Sequence, residues 1–170
     1  MASHNGMRPH DIIILLKLIV LNSQEWQYRD LSSSLLISIS EISQSLKRSS
    51  IAGLYDHEQK KVKKTALMEF IQFGLSYVFP SVPGSIVNGI ETAHSHPFFR
   101  DLIISDQTFV WPHSAGSARG QAIDPLHAKV PEAALKDSAL YKLLAGIDMI
   151  RVGRVRERKL AIQELKNSIL

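Results

Sequence analysis

Residues 28–53 read Tyr28-Arg29-Asp30-Leu31-Ser32-Ser33-Ser34-Leu35-Leu36-Ile37-Ser38-Ile39-Ser40-Glu41-Ile42-Ser43-Gln44-Ser45-Leu46-Lys47-Arg48-Ser49-Ser50-Ile51-Ala52-Gly53. Tyr28, Leu31 and Leu35 fall on one face of a short helix. Ser38-Ile39-Ser40-Glu41 has the form of a capping box. The Ser38 hydroxyl would accept from the Glu41 amide while the Glu41 side chain reaches back to the Ser38 amide. Ile42 and Leu46 follow as an i, i+4 apolar pair. The helix is expected to run to about Ala52 and to stop at Gly53, which tolerates a left-handed cap. Short helix, turn of about four residues, capped helix: this is the length arithmetic of a helix-turn-helix.

Turning the second helix at about 100° per residue separates its side chains. Ile42, Ser45, Leu46 and Ser49 gather on one side, which should face the core. Ser40, Gln44 and Lys47 point the opposite way, flanked by Ser43 and Arg48. These are residue types that touch DNA: Gln pairs bidentately with adenine, Lys and Arg with guanine or phosphate, and Ser with either.

Working outward, residues 12–21 are apolar almost all round, after Pro9 and Asp11 as helix-start signals. A helix of that kind must be covered on more than one side, and a second subunit is an expected source of part of the cover. Residues 60–76 read as a further helix with a stripe through Val62, Ala66, Leu67, Phe70, Ile71 and Phe73, which leaves little room for a long hairpin before it. Residues 77–126 are punctuated by Pro80, Pro83, Gly84, Gly89, Pro97, Pro112, Gly116, Gly120 and Pro125, suiting loops with short strands. Helical signals return at Pro131-Glu132. Asp137 caps a helix over 139–151, and a last helix spans 154–170. The fold expected is mainly α with minor β. Residues 1–7 resemble a leader with no role in the fold, and 8–76 form the helix-turn-helix unit. Residues 77–130 form an irregular short-strand segment that covers or senses, and 131–170 form C-terminal helices that close the core or dimerise.

The pattern Tyr28-x-x-Leu31-x-x-x-Leu35, Ser38-x-x-Glu41-Ile42-x-x-x-Leu46 and Gly53-Leu54 resembles bacterial winged helix-turn-helix transcriptional regulators, broadly MarR-like, over about residues 8–75. Two departures stand out: Ser49 occupies a place usually held by a large apolar residue, and the connection before Lys60 is short for a wing. The resemblance implies a homodimer on double-stranded DNA, a repressor in the first instance, with its second helix in the major groove. The contact set it implies is Ser40, Ser43, Gln44, Lys47 and Arg48 on that helix, with Lys60, Lys61 and Lys63 after it. A winged-helix module that binds a protein partner, antitoxin-like, is the alternative.

Charge agrees with a polyanionic partner. The net charge is +4, and it is clustered. Lys47, Arg48, Lys60, Lys61, Lys63 and Lys64 face only Asp56 and Glu58 between positions 47 and 64, and Arg151, Arg154, Arg156, Arg158 and Lys159 meet only Glu157. The second run is expected to grip backbone phosphates. The absence of cysteine removes disulfides, thiolate zinc sites and cysteine nucleophiles, and a reducing cytoplasm is the expected location. The longest apolar run is about half of what a spanning helix needs, so no membrane role is expected. No P-loop, Gly-x-Gly-x-x-Gly, Gly-x-Ser-x-Gly or His-Glu-x-x-His motif is present, and no cofactor is expected. His94 and His96, two apart, would share a face if extended, yet lack a local third ligand, so no metal site is expected. An enzyme using His94, His96 or His113 would need such a metal or a His-lined pocket. Residues 114–120, rich in small side chains, read as a flexible loop.

Overall fold

The computed structural model describes residues 5–170. The chain is mainly helical with two small sheets. Of the leader expected at 1–7, residues 1–4 lie outside the described residues; Met7, given no role in the fold, packs against the core.

Helix α1 (Pro9–Leu21) is the hub. Ile12, Ile13, Ile14, Leu15 and Leu16 are each at most 1% exposed, and burying side chains of this size is worth roughly 1.5–3 kcal/mol apiece. The cover comes from the chain itself, through α2 (Tyr28–Leu35), α3 (Ile39–Ile51) and α8 (Ser138–Val152). No second subunit is needed for it. Leu140, Leu143, Leu144, Ile147 and Ile150 of α8 are buried within the same chain, so of the two expectations for these side chains the core placement is the one seen.

Between α2 and α3 the chain turns at Leu36, in the left-handed conformation at φ 58°, while Leu31, Leu35 and Ile37 are buried beneath the turn. Helix α3 ends as expected, with Gly53 at φ 78°. Strands β1 (Tyr55–Asp56) and β2 (Lys61–Val62) then pair antiparallel in a short hairpin. The helix expected from Lys60 begins instead at Lys64, as α4 (Lys64–Phe73). Lys60 takes φ 52° to close the hairpin, and the Lys63 amide donates to the Leu54 carbonyl at 2.9 Å, which holds 61–63 extended. A short helix, α5 (Leu75–Val78), follows.

The punctuated middle segment builds a closed three-stranded barrel. Strand β3 (Ile86–Glu91) runs antiparallel to both β4 (Phe109–Pro112) and β5 (Ala118–Ala122), which pair in parallel with each other. Backbones approach too closely for side chains: a Cβ on Gly116 would lie 2.1 Å from the Gly89 carbonyl carbon. The small residues of 114–120 thus serve strand packing, which corrects their reading as a flexible loop. Between β3 and β4 lie a 3₁₀ turn (Ala93–Ser95) and α6 (Pro97–Arg100).

Helices α7 (Val130–Leu135), α8 and α9 (Val155–Ile169) complete the chain. Asp137 caps α8 through the Leu140 amide at 3.0 Å and accepts Lys17 of α1 at 2.6 Å. Asp148 of α8 is 2% exposed and accepts from Thr92 Oγ1, Trp111 Nε1 and Arg151 Nη1 at 2.7, 2.7 and 2.8 Å. Arg151 also donates to the carbonyls of Phe79 and Asp124 at 2.9 Å. Arg151, expected to reach for phosphate, is therefore an internal tie between α8 and the barrel segment. Among the described residues no helix is long and apolar enough to cross a membrane.

His96 is buried against Tyr141, with ring centroids 4.2 Å apart. Desolvation, helped by Lys142 and Arg100, lowers its pKa from 6.5 to about 4. The unfolded chain therefore binds the proton first on acidification. This contribution to stability is complete above pH 6.5 and is lost as pH falls from 6.5 through 4. Denaturation midpoints measured across that window should fall by an amount equivalent to about 1–3 kcal/mol, and H96F should flatten the decline. A native profile already flat there would contradict the assignment.

Replacing Gly116 by Ala should cost about 1–3 kcal/mol or more, since backbone cannot yield as a flexible side chain does. Urea unfolding checks this, and a neutral G116A would refute the closed packing.

Candidate nucleic-acid interface

Helix α3 is set in place by one apolar stripe and one buried ion pair. Ile42 and Leu46 are fully buried, Ser45 and Ser49 lie beside them, and the Ser49 hydroxyl faces Met7 Sδ at 3.9 Å. Ser49, where a large apolar residue was looked for, is thus roofed by the chain preceding α1.

Arg48 was expected among the DNA-contacting residues, and the structure corrects its placement: it is 7% exposed. Its Nε and Nη2 meet Asp11 Oδ2 and Oδ1 at 3.0 and 2.7 Å, a bidentate fork, and Nη2 also reaches Glu41 Oε1 at 2.9 Å. Asp11 has no exposed surface. Its hydrogen bonds to Arg48, opposed by desolvation, raise the guanidinium pKa further, so the charge is permanent.

Glu41 is drawn into the same cluster. Its amide donates to Ser38 Oγ at 3.2 Å, as a cap requires. The side chain does not return to the Ser38 amide, however; it meets Arg48 and, at 2.7 Å, His10 Nε2. Desolvation pushes the Glu41 carboxyl up, but hydrogen bonds from Arg48 and His10 outweigh it and hold the carboxyl below its ordinary value. The box is half-formed because a buried guanidinium competes for its acid.

The opposite side of α3 is open. Ser40, Ser43, Gln44 and Lys47 are all exposed. Lys60, Lys61 and Lys63 are exposed on the hairpin and at the start of α4, beside Lys64, and the hairpin is anchored by buried Leu54 and Tyr55. Of the eight side chains in the expected contact set, seven are therefore on the surface and one is structural. In the second basic run, Arg154, Arg156, Arg158 and Lys159 are exposed around the α8–α9 junction.

His94 and His96 do not converge. The intervening turn is 3₁₀ rather than extended: His94 Nε2 donates to the Gln107 carbonyl at 2.8 Å, and His96 Nδ1 accepts from the Phe98 amide at 3.1 Å. Among the described residues no group of three His, Cys, Asp or Glu is placed to hold a metal ion.

Sequence reasoning missed Trp26 and Arg29. Together with Lys60, Lys61 and Lys64 they line a groove of about 970 Å³ between the α1–α2 connection and the hairpin. The signal was an aromatic pair, Trp26 and Tyr28, inside a polar stretch, and both rings pack half-buried against the edge of the core. No protein-family model, curated protein or solved structure matches the chain.

Removing one partner of a buried pair strands the other charge, which costs about 3–5 kcal/mol. R48A should therefore lower unfolding free energy by about that amount, whereas K47A, on the open side, should stay within about 0.5 kcal/mol of the parent. Denaturant titrations of both variants decide it. Equal, small effects would contradict the division of α3 into a structural and a free side.

Proposed function

We propose that this protein is a sequence-specific regulator of double-stranded DNA, acting by site occupancy as a homodimer and, in the first instance, as a repressor. On this reading α2, the turn and α3 are a helix-turn-helix, β1 and β2 are a short wing, and α3 is the recognition helix. The observation that carries it is the uncovered side of α3. Its four polar residues, Ser40, Ser43, Gln44 and Lys47, are left without cover by the rest of the chain, on a helix whose other side is locked to α1 by Arg48 and Asp11.

The contacts divide by chemistry. Gln44 suits the N6 and N7 edge of adenine, Lys47 a guanine or phosphate, and Ser40 and Ser43 either. Lys60, Lys61 and Lys63 of the short wing suit phosphates, which position a protein without reading sequence. Arg154, Arg156, Arg158 and Lys159 supply further phosphate contacts. Two copies are needed to read a pseudo-palindromic site, and the surface that joins them lies outside α1 and α8. A cytoplasmic location follows from the target.

One observation favours a second reading, in which α3 docks on a protein partner: Ile39 and Ile51, at its two ends, are 51% and 57% exposed. Duplexes selected from a random pool separate the two. On the DNA reading a consensus emerges; Q44A relaxes it at one position by about 1–3 kcal/mol, and K47A weakens binding with a salt slope smaller by about one. No consensus, together with binding untouched by either variant, would remove α3 from any DNA interface.

A further inference from the structure

The groove beside the hairpin holds Trp26, Arg29 and Lys64, which the duplex contacts do not use. Its floor and walls include Trp26, Arg29, Lys60, Lys61 and Lys64, with Leu18, Ile19 and Val62 as apolar backing. At about 970 Å³ it is at the upper end of the range that holds small molecules. Trp26 also borders a second cleft of about 360 Å³ with Tyr28 and Arg29. The ring, half-buried against the edge of the core and 5.7 Å from the Tyr28 ring, thus borders open space in two cavities. Lys60 Nζ stands 5.9 Å from the ring centroid.

The charge in the groove is uneven. Among the described residues Arg29, Lys60, Lys61 and Lys64 form no ion pair. The two acids that line it, against four cations, are the exposed Glu25 and Asp30, the latter with Oδ2 accepting the Gln27 amide at 2.8 Å as the cap of α2. A half-exposed aromatic ring, approached by Lys60 alone among the described cations, beside further unpaired cations suits a ligand with a flat ring at one end and concentrated negative charge at the other. A ring stacks on tryptophan irrespective of which base it is, and phosphates take the cations as point charges.

We propose that this groove binds a nucleoside polyphosphate, with the base stacked on Trp26 and the phosphates held by Arg29, Lys61 and Lys64. The site is separate from the open side of α3 and shares Lys60 and Lys61 with the proposed wing contacts, while Trp26, Arg29 and Lys64 belong to it alone.

The molecule carries its own reporter. Its other tryptophan, Trp111, is 1% exposed and hydrogen-bonded to Asp148, so quenching by an added nucleotide reads Trp26. The whole chain, without DNA, is titrated with ATP, adenosine and pyrophosphate separately, with excitation at the red edge of tryptophan absorption, where adenine is transparent. ATP should quench saturably and bind at least about tenfold more tightly than either fragment. W26F should abolish the quench, and the K61S/K64S double variant should weaken ATP by about tenfold or more. K47A, on α3, should leave ATP binding unchanged. No saturable quench at millimolar ATP overturns the proposal. So does adenosine or pyrophosphate binding as tightly as ATP, which would make the groove an aromatic slot or a bare anion site.

Discussion

The guanidinium of Arg48 sits between Asp11 of α1 and Glu41 of its own helix, and the placement of α3 depends on that junction. Apolar packing of Ile42 and Leu46 would hold a helix against α1 but would allow it to slide or roll, because dispersion is non-directional. A bidentate fork to a carboxylate with no exposed surface does not permit either. Burying both charges is costly, and a hydrophobic pair of similar size would be as stable or more so. What the ion pair contributes is orientation: it fixes which side of α3 is inside and thereby which side is left to solvent.

The rest of the chain extends that constraint outward. Helix α1 is surrounded by its own chain, so α3, α8 and the hairpin are all referenced to one buried rod. A second polar junction, at Asp148, ties α8 to the barrel segment through Thr92, Trp111 and Arg151. Burial raises the Asp148 carboxyl pKa, against the pull of Arg151 and the hydrogen bonds of Thr92 and Trp111, and losing any one donor would leave a buried acceptor short. The two junctions explain how a chain with small, short strands presents a fixed outer surface.

Much of the fold was legible because its signals are local. Ser38 and Gly53 bracket α3 through short-range backbone chemistry, Asp137 does the same for α8, and the i, i+4 pair Ile42 and Leu46 identifies the inner face. The misreadings come from partners distant in sequence. Helical rotation places Arg48 at the margin of the polar side, and Asp11, 37 residues earlier, draws it inside. Arg151 looks like one of a surface run until the carbonyls of Phe79 and Asp124 reach it. Lys60 to Lys63 have helical propensity, but pairing across the hairpin overrides it. The glycines of the middle segment read as loop punctuation, whereas strand backbones need them for close approach. Within the candidate site, the polar residues of α3 were found from periodicity. The Trp26 groove was not, because two unconnected segments form it.

The proposed regulator meets DNA with the outer side of α3. Amide chemical-shift mapping with a duplex enriched from a random pool tests this at every position together. Shifts should concentrate at Ser40, Ser43, Gln44 and Lys47 and at the lysines of the hairpin, with Arg48 and Asp11 unmoved. A duplex that perturbs some other face while leaving those four α3 residues silent would contradict it.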